Sequence, residues 1–311
     1  MQKQTLSFNA AADGSERIRR NAGSLAKRRW VSYLFITPGL VVLFLFYILP
    51  ALVGLGVSFT RWDALTPPVY IGLGNFIALF QDPNFYNSIL VTVEYAVLTL
   101  VTQLPLALLL AYLLSQQKRG SKIFRAIFFI PQILSLVAVG VLWSLIYDPF
   151  NGPPARILGL FGVGPIDWLG KYALLSLVLT SAWVYFGFHM VLQMAGMSAI
   201  PNELYDSARL DTSSSLKVFF RVTLPLLRET LLISTVLMIA GAFSYSIGIT
   251  WVLTRGGPLH ATELLPIFMY KAAFSDHQFG YSSAISIVMV LFIAIIVGVI
   301  VWWFGRERIE Y

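Results

Sequence analysis

The chain has 311 residues, 57% of them hydrophobic and only 12% charged, with a formal net charge of +7 and no cysteine. About a quarter of the residues of a soluble domain are charged, so a water-soluble globule is excluded. Without cysteine there can be no disulfide, no Cys-ligated zinc and no thiol catalysis.

Residues 1–29 are polar and are expected to form a disordered cytoplasmic tail. Arginine pairs at 19–20 and 28–29 precede an apolar run, as in an export signal. That run contains Pro38 and Pro50 and has no small-residue cleavage site, so a retained helix is expected. A hydrocarbon core of about 30 Å needs about 20 mostly apolar residues per helix. Six windows meet this length: 31–60, 88–115, 124–146, 173–195, 230–253 and 281–304. The Pro- and Gly-rich stretches between them, such as 66–68 and 151–154, read as loops. Backbone polar groups in lipid must be satisfied within the segment, and the runs are too long and evenly apolar for barrel strands. The expectation is an all-α polytopic membrane protein with six transmembrane helices. Its transmembrane domain covers 30–305, with a loop over 196–228 and a second tail over 306–311.

Lys and Arg orient the chain. Seventeen lie in the N-terminal tail, the second and fourth loops and the C-terminal tail; five (Arg61, Arg156, Lys171, Arg255, Lys271) lie on the other side. Cytoplasmic loops carry the excess of cations, so both termini and the 196–228 loop are expected in the cytoplasm. The charge thus reflects topology and calls for no nucleic-acid partner. Seven of the eight tryptophans fall near predicted span ends, where amphipathic rings favour the headgroup layer; only Trp183 is mid-span.

Sites of catalysis are not found. Gly170-Lys171 is followed by Tyr172, so no phosphate-binding loop forms. His189, His260 and His277 have no metal-ligand spacing, and no GxSxG elbow occurs. The chain is expected not to be an enzyme, and any ATP hydrolysis belongs to other subunits.

Polar residues inside spans are costly and tend to face a cavity or a neighbouring helix. Ser181, Tyr185, His189 and Gln193 recur at i,i+4 in the fourth span and share one face. Ser234, Met238, Gly241 and Tyr245 form a comparable stripe in the fifth. Tyr, His and Gln combine hydrogen bonding with planar surface, as hydroxyl-rich ligands require; helix packing is the alternative use of such stripes. Glu94 is the only acid well inside a span, and hydrogen bonding near the headgroups is expected of it.

The stretch from Asp206 to Pro225, DSARLDTSSSLKVFFRVTLP, carries five charges between two apolar runs. It resembles the EAA loop of ABC importer permeases. Asp206 stands where Glu is usual, Ser207 where Ala is usual, Thr212 where Gly is usual, and Val222-Thr223-Leu224-Pro225 closes the motif. Thr212 would resist a positive φ, so the break between the loop's two helices is expected to differ in geometry. GlnLeuProLeuAlaLeuLeuLeuAla at 103–111, PheArgAlaIlePhePheIlePro at 124–131 and ThrArgGlyGlyProLeuHisAlaThrGlu at 254–263 are similar to carbohydrate-uptake permeases of the maltose and glycerol-phosphate type.

The resemblance implies a heterodimer with a second permease subunit and two ATPase subunits that bind ATP and Mg, with no cofactor in this chain. It further implies an extracytoplasmic solute-binding protein that delivers a di- or oligosaccharide, in a bacterial or archaeal plasma membrane. Asp206, Ser207, Ala208, Arg209, Asp211, Leu224 and Pro225 would couple to the ATPases. Ser181, Tyr185, His189, Gln193 and Tyr245 would line the sugar pathway. A glycerol-phosphate or polyol permease is the alternative, and an ion-coupled secondary transporter a further one; the latter expects paired intramembrane acids or broken helices.

Overall fold

The structure, a computed structural model, describes residues 33–116, 120–244 and 246–304. The tails expected over 1–29 and 306–311, and Tyr245, lie outside the described residues. Two compact units divide between Gly56 and Val57, and each is described by itself.

The first unit holds all but the last residue of α1, Tyr33–Val57, which is apolar and long enough to cross a membrane. Its ladder loosens into a π turn at Phe44–Ile48, two residues before Pro50. Proline has no N–H to offer the preceding turn and crowds its carbonyl, and the wider turn absorbs the mismatch.

The second unit opens with a feature the sequence did not announce. The span expected to reach residue 60 ends at Val57, and Thr60–Arg61 (β1) pairs antiparallel with Val69–Tyr70 (β2). Asn75 Nδ2 fixes this hairpin by donating to the carbonyls of Ser58 and Thr60, both at 2.8 Å. At its tip the Thr66 N–H and hydroxyl and the Leu65 N–H donate to Asp63, pulling that carboxyl down to about 2.

Helix α2 (Gly74–Gln81) leads into α3 (Pro83–Ser115), which starts five residues before the expected 88. Asp82 caps it by accepting from the Asn84 N–H at 2.8 Å, and Pro83 occupies the first turn, where its missing N–H costs nothing. Ser88, Thr92, Tyr95, Thr99, Gln103, Ala107 and Ala111 recur at i,i+3 or i,i+4 and are all buried. That stripe of small and polar residues packs on α7 (Ala173–Ala199). Helix α7 is the centre of the bundle, with 61% of its apolar window buried against 28% for α3 and 11% for α13 (Phe279–Phe304).

The third expected span is not one helix. Helices α4 (Ser121–Ile133) and α5 (Leu136–Ile146) meet at 97° across Leu134 and Ser135, whose backbones are extended. Pro131 removes a donor from the last turn of α4, a usual cause of such a break. A short helix, α6 (Pro153–Gly159), follows before α7.

Residues 196–228 fold as α8 (Asn202–Asp211) and α9 (Ser215–Leu226). Pro225, which closes the EAA-like motif, does not end the second helix of the loop. Instead α9 passes through it to Leu226, because a π turn at Phe219–Thr223 again sits two residues before the proline. The 68° turn falls after it, between α9 and α10 (Arg228–Ser244). Thr212 lies between α8 and α9 at φ −154° and ψ 136°, extended backbone in which a β-branched residue is at ease. The fifth expected span, 230–253, ends in α11 (Ile247–Leu253) and the sixth is α13, whereas α12 (Leu265–Phe274) lies between them, where the sequence predicts no span. Among the described residues four helices are long and apolar enough to cross a membrane, or up to six if each bent pair is one span.

Two hydrophobic cores result. One gathers Leu79, Phe85, Leu177, Val184, Phe243 and Ile285; the other gathers Ala107, Ala111, Met190, Met194, Met197, Phe219 and Leu227. Along α3 and α7 these cores meet where the side chains turn polar.

Candidate functional site: a polar cavity and an exposed loop

A cavity of about 410 Å³ lies between the two cores. Helix α3 presents Tyr95, Thr99 and Gln103 to it, one residue per turn along a single face. Helix α7 contributes Tyr185, Phe188 and His189; α10 contributes Leu237, Met238, Gly241 and Ala242. Gln132, Leu134 and Leu136 enter from the α4–α5 bend, and Ser246 from just before α11. The broken helices therefore bring non-helical backbone to a cavity wall, where a membrane protein can tolerate it.

Its hydrogen bonding is uneven. Tyr95 donates to Ser181 Oγ at 2.6 Å, and Thr99 spends its hydroxyl on the carbonyls of Tyr95 and Ala96. His189 Nδ1 lies 3.4 Å from Ser234 Oγ. Gln132 Oε1 is buried and without a partner.

The stripe expected on the fourth span divides in three. Tyr185 and His189 reach the cavity; Ser181 is buried one turn away and holds Tyr95 in place. Gln193 is fully buried one turn beyond His189, outside the lining, with both carboxamide atoms unpaired. Met238 and Gly241 of the second stripe line the cavity, and Ser234 lies behind His189. Glu94 is exposed on α3 and does not line the cavity. Sequence reasoning missed Tyr95, Thr99, Gln103 and Gln132. The first three carried the same i,i+4 signal as the α7 stripe.

The α8–α9 loop is the second candidate surface. Asp206 and Arg209 pair at 3.5 Å with side chains 71% and 72% exposed, which makes the pair a weak one. Ser207, Asp211 and Pro225 are also exposed, whereas Ala208 and Leu224 are half-buried. Leu210 is 90% exposed. The loop is nonetheless tied to the bundle. Tyr112, near the end of α3, donates to the Ser215 carbonyl at 3.2 Å and packs its ring at a tilt against Phe219, 4.6 Å between ring centroids. Thr223 and Tyr205 join α9 to α8 through their hydroxyls at 3.4 Å.

An apolar helical bundle with an uncharged polar cavity and a tethered, solvent-facing helical loop defines a membrane transport subunit. Residues 103–308 match the family described as binding-protein-dependent transport system inner membrane component, and the chain belongs to that family. It is 35% identical to the probable ABC transporter permease protein YurN of Bacillus subtilis, over 84% of this chain and 91% of that protein. It is 31% identical to the sn-glycerol-3-phosphate transport system permease protein UgpA of Agrobacterium fabrum, over 90% of this chain and 96% of that one. A probable starch degradation products transport system permease protein, AmyD of Thermoanaerobacterium thermosulfurigenes, is 28% identical over 89% and 95%. The fold is similar to a chain in the crystal structure of a bacterial ABC transporter involved in import of the acidic polysaccharide alginate. The TM-score is 0.78 at 22% identity, covering 91% of this chain and 98% of that one.

Proposed function

We propose that this chain is one of two different permease subunits of an ATP-driven importer and carries a sugar through the cavity between α3, α7 and α10. In this reading the chain crosses a bacterial or archaeal plasma membrane six times with both termini in the cytoplasm, and 30–305 is its transmembrane domain. Two separate ATPase subunits bind ATP and Mg and dock on Asp206, Ser207, Ala208, Arg209, Asp211, Leu224 and Pro225. An extracytoplasmic binding protein delivers the cargo. Relatives named for starch degradation products and for glycerol phosphate both handle hydroxyl-bearing molecules, which supports a hydroxyl-rich cargo here.

The observation that carries the reading is the cavity wall. Tyr95, Gln103, Gln132, Tyr185 and His189 set phenol, carboxamide and imidazole groups around one cavity. A sugar entering it exchanges water for these partners, and the aromatic faces cover its apolar C–H surfaces. Driving the motion falls to the α8–α9 loop. The broken α4–α5 and α9–α10 pairs would also suit an ion-coupled transporter, but among the described residues no acid lines the cavity and Glu94 lies apart from it, which disfavours ion coupling.

The test is uptake by the reconstituted importer. Losing one buried hydrogen-bond partner costs about 1–3 kcal/mol, or roughly 5- to 150-fold in an equilibrium. Tyr185→Ala and His189→Ala should weaken uptake at low sugar on that scale while assembly and basal ATPase activity persist. Val191→Ala, about 160° round the helix from His189, should leave uptake intact. Equal loss in all three, or no loss in the first two, would refute the reading.

A further inference from the structure

One side chain grips the first turn of α9 at both ends. The Tyr112 hydroxyl donates to the carbonyl of Ser215, where α9 starts, across 103 positions of the chain. Its ring meets Phe219, four residues further along α9. Apolar contact is non-directional and lets two helices slide. A hydrogen bond paired with a ring contact one turn away fixes both position and rotation.

From Phe219 the contacts run on to α8. Phe219 and Thr223 are the first and last residues of the π turn, and both are buried. The Thr223 hydroxyl meets that of Tyr205 on α8 at 3.4 Å, and Tyr205 directly precedes the exposed Asp206 and Ser207. The π turn thus carries one grip to α3 and one to α8; such turns are rare and occur frequently at functional sites. On the other side Tyr112 sits in the last turn of α3, which runs unbroken through Pro105 from the cavity residues Tyr95, Thr99 and Gln103. At 1.5 Å per residue it lies about 14 Å along the helix from Gln103.

We propose that Tyr112 is the positioning residue that couples the α8–α9 loop to the cavity. It holds α9 to α3, so a displacement of α8 moves the α3 wall instead of being lost as slip between loop and bundle. Tyr112 does not line the cavity, and it acts through α9. This inference rests on the reading of α8 as the ATPase contact and deepens it by naming the link on the membrane side.

The chain has no cysteine, so Leu237→Cys places a single thiol of this subunit on the cavity wall, at a position 44% exposed. Its rate of reaction with a methanethiosulfonate reagent is followed by intact mass in the complete reconstituted importer, with and without ATP, Mg and vanadate. In the parent these additions should change the rate, because α8 drives the cavity. One lost hydrogen bond shifts an equilibrium about 2- to 13-fold, for about 0.5–1.5 kcal/mol. Tyr112→Phe should shrink the nucleotide-driven change by a factor in that range. Tyr112→Ala, which loses the ring contact as well, should abolish it. Yield of the complex and ATP hydrolysis without vanadate should match the parent. Leu113→Ala, at the next residue of α3 and 50% exposed, should keep the full change.

A full change in both Tyr112 variants, or equal loss in Leu113→Ala, would overturn the role of Tyr112 and leave the docking reading standing. Yield or hydrolysis falling in step with the response in Tyr112→Phe would overturn it too, by making Tyr112 a fold contact alone. No nucleotide-driven change in the parent would bring down the docking reading itself.

Discussion

Glu263 offers the sharpest test of how the chain holds its shape outside the spans. Its carboxylate, 2% exposed, accepts from Lys271 of α12 and from His260 of the preceding loop. That loop is strained: Arg255, Leu259 and His260 all have positive φ, with Gly256 between them. Non-glycine residues held there cost on the order of 1–3 kcal/mol each and persist only where surrounding contacts enforce them. The enforcing contacts are the Glu263 pair, the Thr262 hydroxyl to the Gly257 carbonyl at 2.6 Å, and Asn87 to the His260 carbonyl at 3.2 Å. Lys271→Met leaves a buried carboxylate with half its compensation. Stranding a fully buried charge costs about 3–5 kcal/mol; the Lys271 side chain is 30% exposed, so water already screens the pair, and about 2–3 kcal/mol is expected. Glu263→Gln keeps the shape and leaves a lysine that can turn to water, for about 1–2 kcal/mol. The double variant removes both members, so it should be less destabilised than the sum by at least about 1 kcal/mol. Thermal melting of the purified complex at one fixed scan rate reads this, at about 1–2 °C per kcal/mol for a chain of this size. Additive effects, or a Lys271→Met protein that melts with the parent, would refute the buried-clamp account.

Other outcomes follow from the same structure. A single Cys at Asn151 should react with an impermeant thiol reagent on intact cells, and one at Leu210 should not; the opposite pattern would invert the topology. Ala208→Glu and Arg209→Glu place a new negative charge at the proposed ATPase contact and should abolish ATP-driven uptake while the protein remains in the membrane, as immunoblots of membrane fractions would record. Gly187→Ala would set a Cβ 1.8 Å from the Phe128 carbonyl oxygen, backbone that no rotamer change can move aside. It should lower the melting temperature by an amount matching about 1–3 kcal/mol of overpacking, whereas Gly298→Ala, in open space, should raise it slightly through helix propensity.

What was legible in the sequence follows from the range of the forces involved. Apolar length fixes a helix locally, so α7 and α13 begin within two residues of expectation, at Ala173 and Phe279. The start of α3 was hidden because Asp82 and Pro83 form a polar-looking cap ahead of the apolar run. Breaks were harder. Pro131 marks the α4–α5 bend, yet Pro50, Pro105 and Pro225 also lie inside helices and produce no break of that size. Which proline kinks its helix depends on what packs beside it, and that is tertiary information. The cavity was half legible. Periodicity put Tyr185 and His189 on one face but could not show that Ser181 on that face is occupied with Tyr95. Nor could it show Gln132 arriving from a different helix. Glu263 gave no signal at all, since its burial depends on Lys271, eight residues on, and on the loop between them.

The two halves of the proposed mechanism meet in the second core. Tyr185 and His189 on the cavity wall and Met190, Met194 and Met197 in that core belong to the same helix, α7. Met190 and Met194 are buried beside Ala107 and Ala111 of α3, four and eight residues beyond Gln103. Phe219 and Leu227, from the far end of the α8–α9 loop, close the same core. Gly196 permits the approach: a Cβ there would meet Thr230 Oγ1 at 2.5 Å and Leu227 Cδ2 at 2.9 Å. Interiors packed at crystal-like density transmit displacement because they have little free volume in which to dissipate it. A force on α8 therefore acts on Phe219 and Leu227, through them on the α3–α7 contact, and so on the floor of the cavity. Gln193 stands in that path, fully buried with neither carboxamide atom paired. Each unpaired atom costs about 1–3 kcal/mol, comparable to the few kcal/mol that separate conformations of a two-state protein. A rearrangement that paired the Gln193 carboxamide would recover that energy.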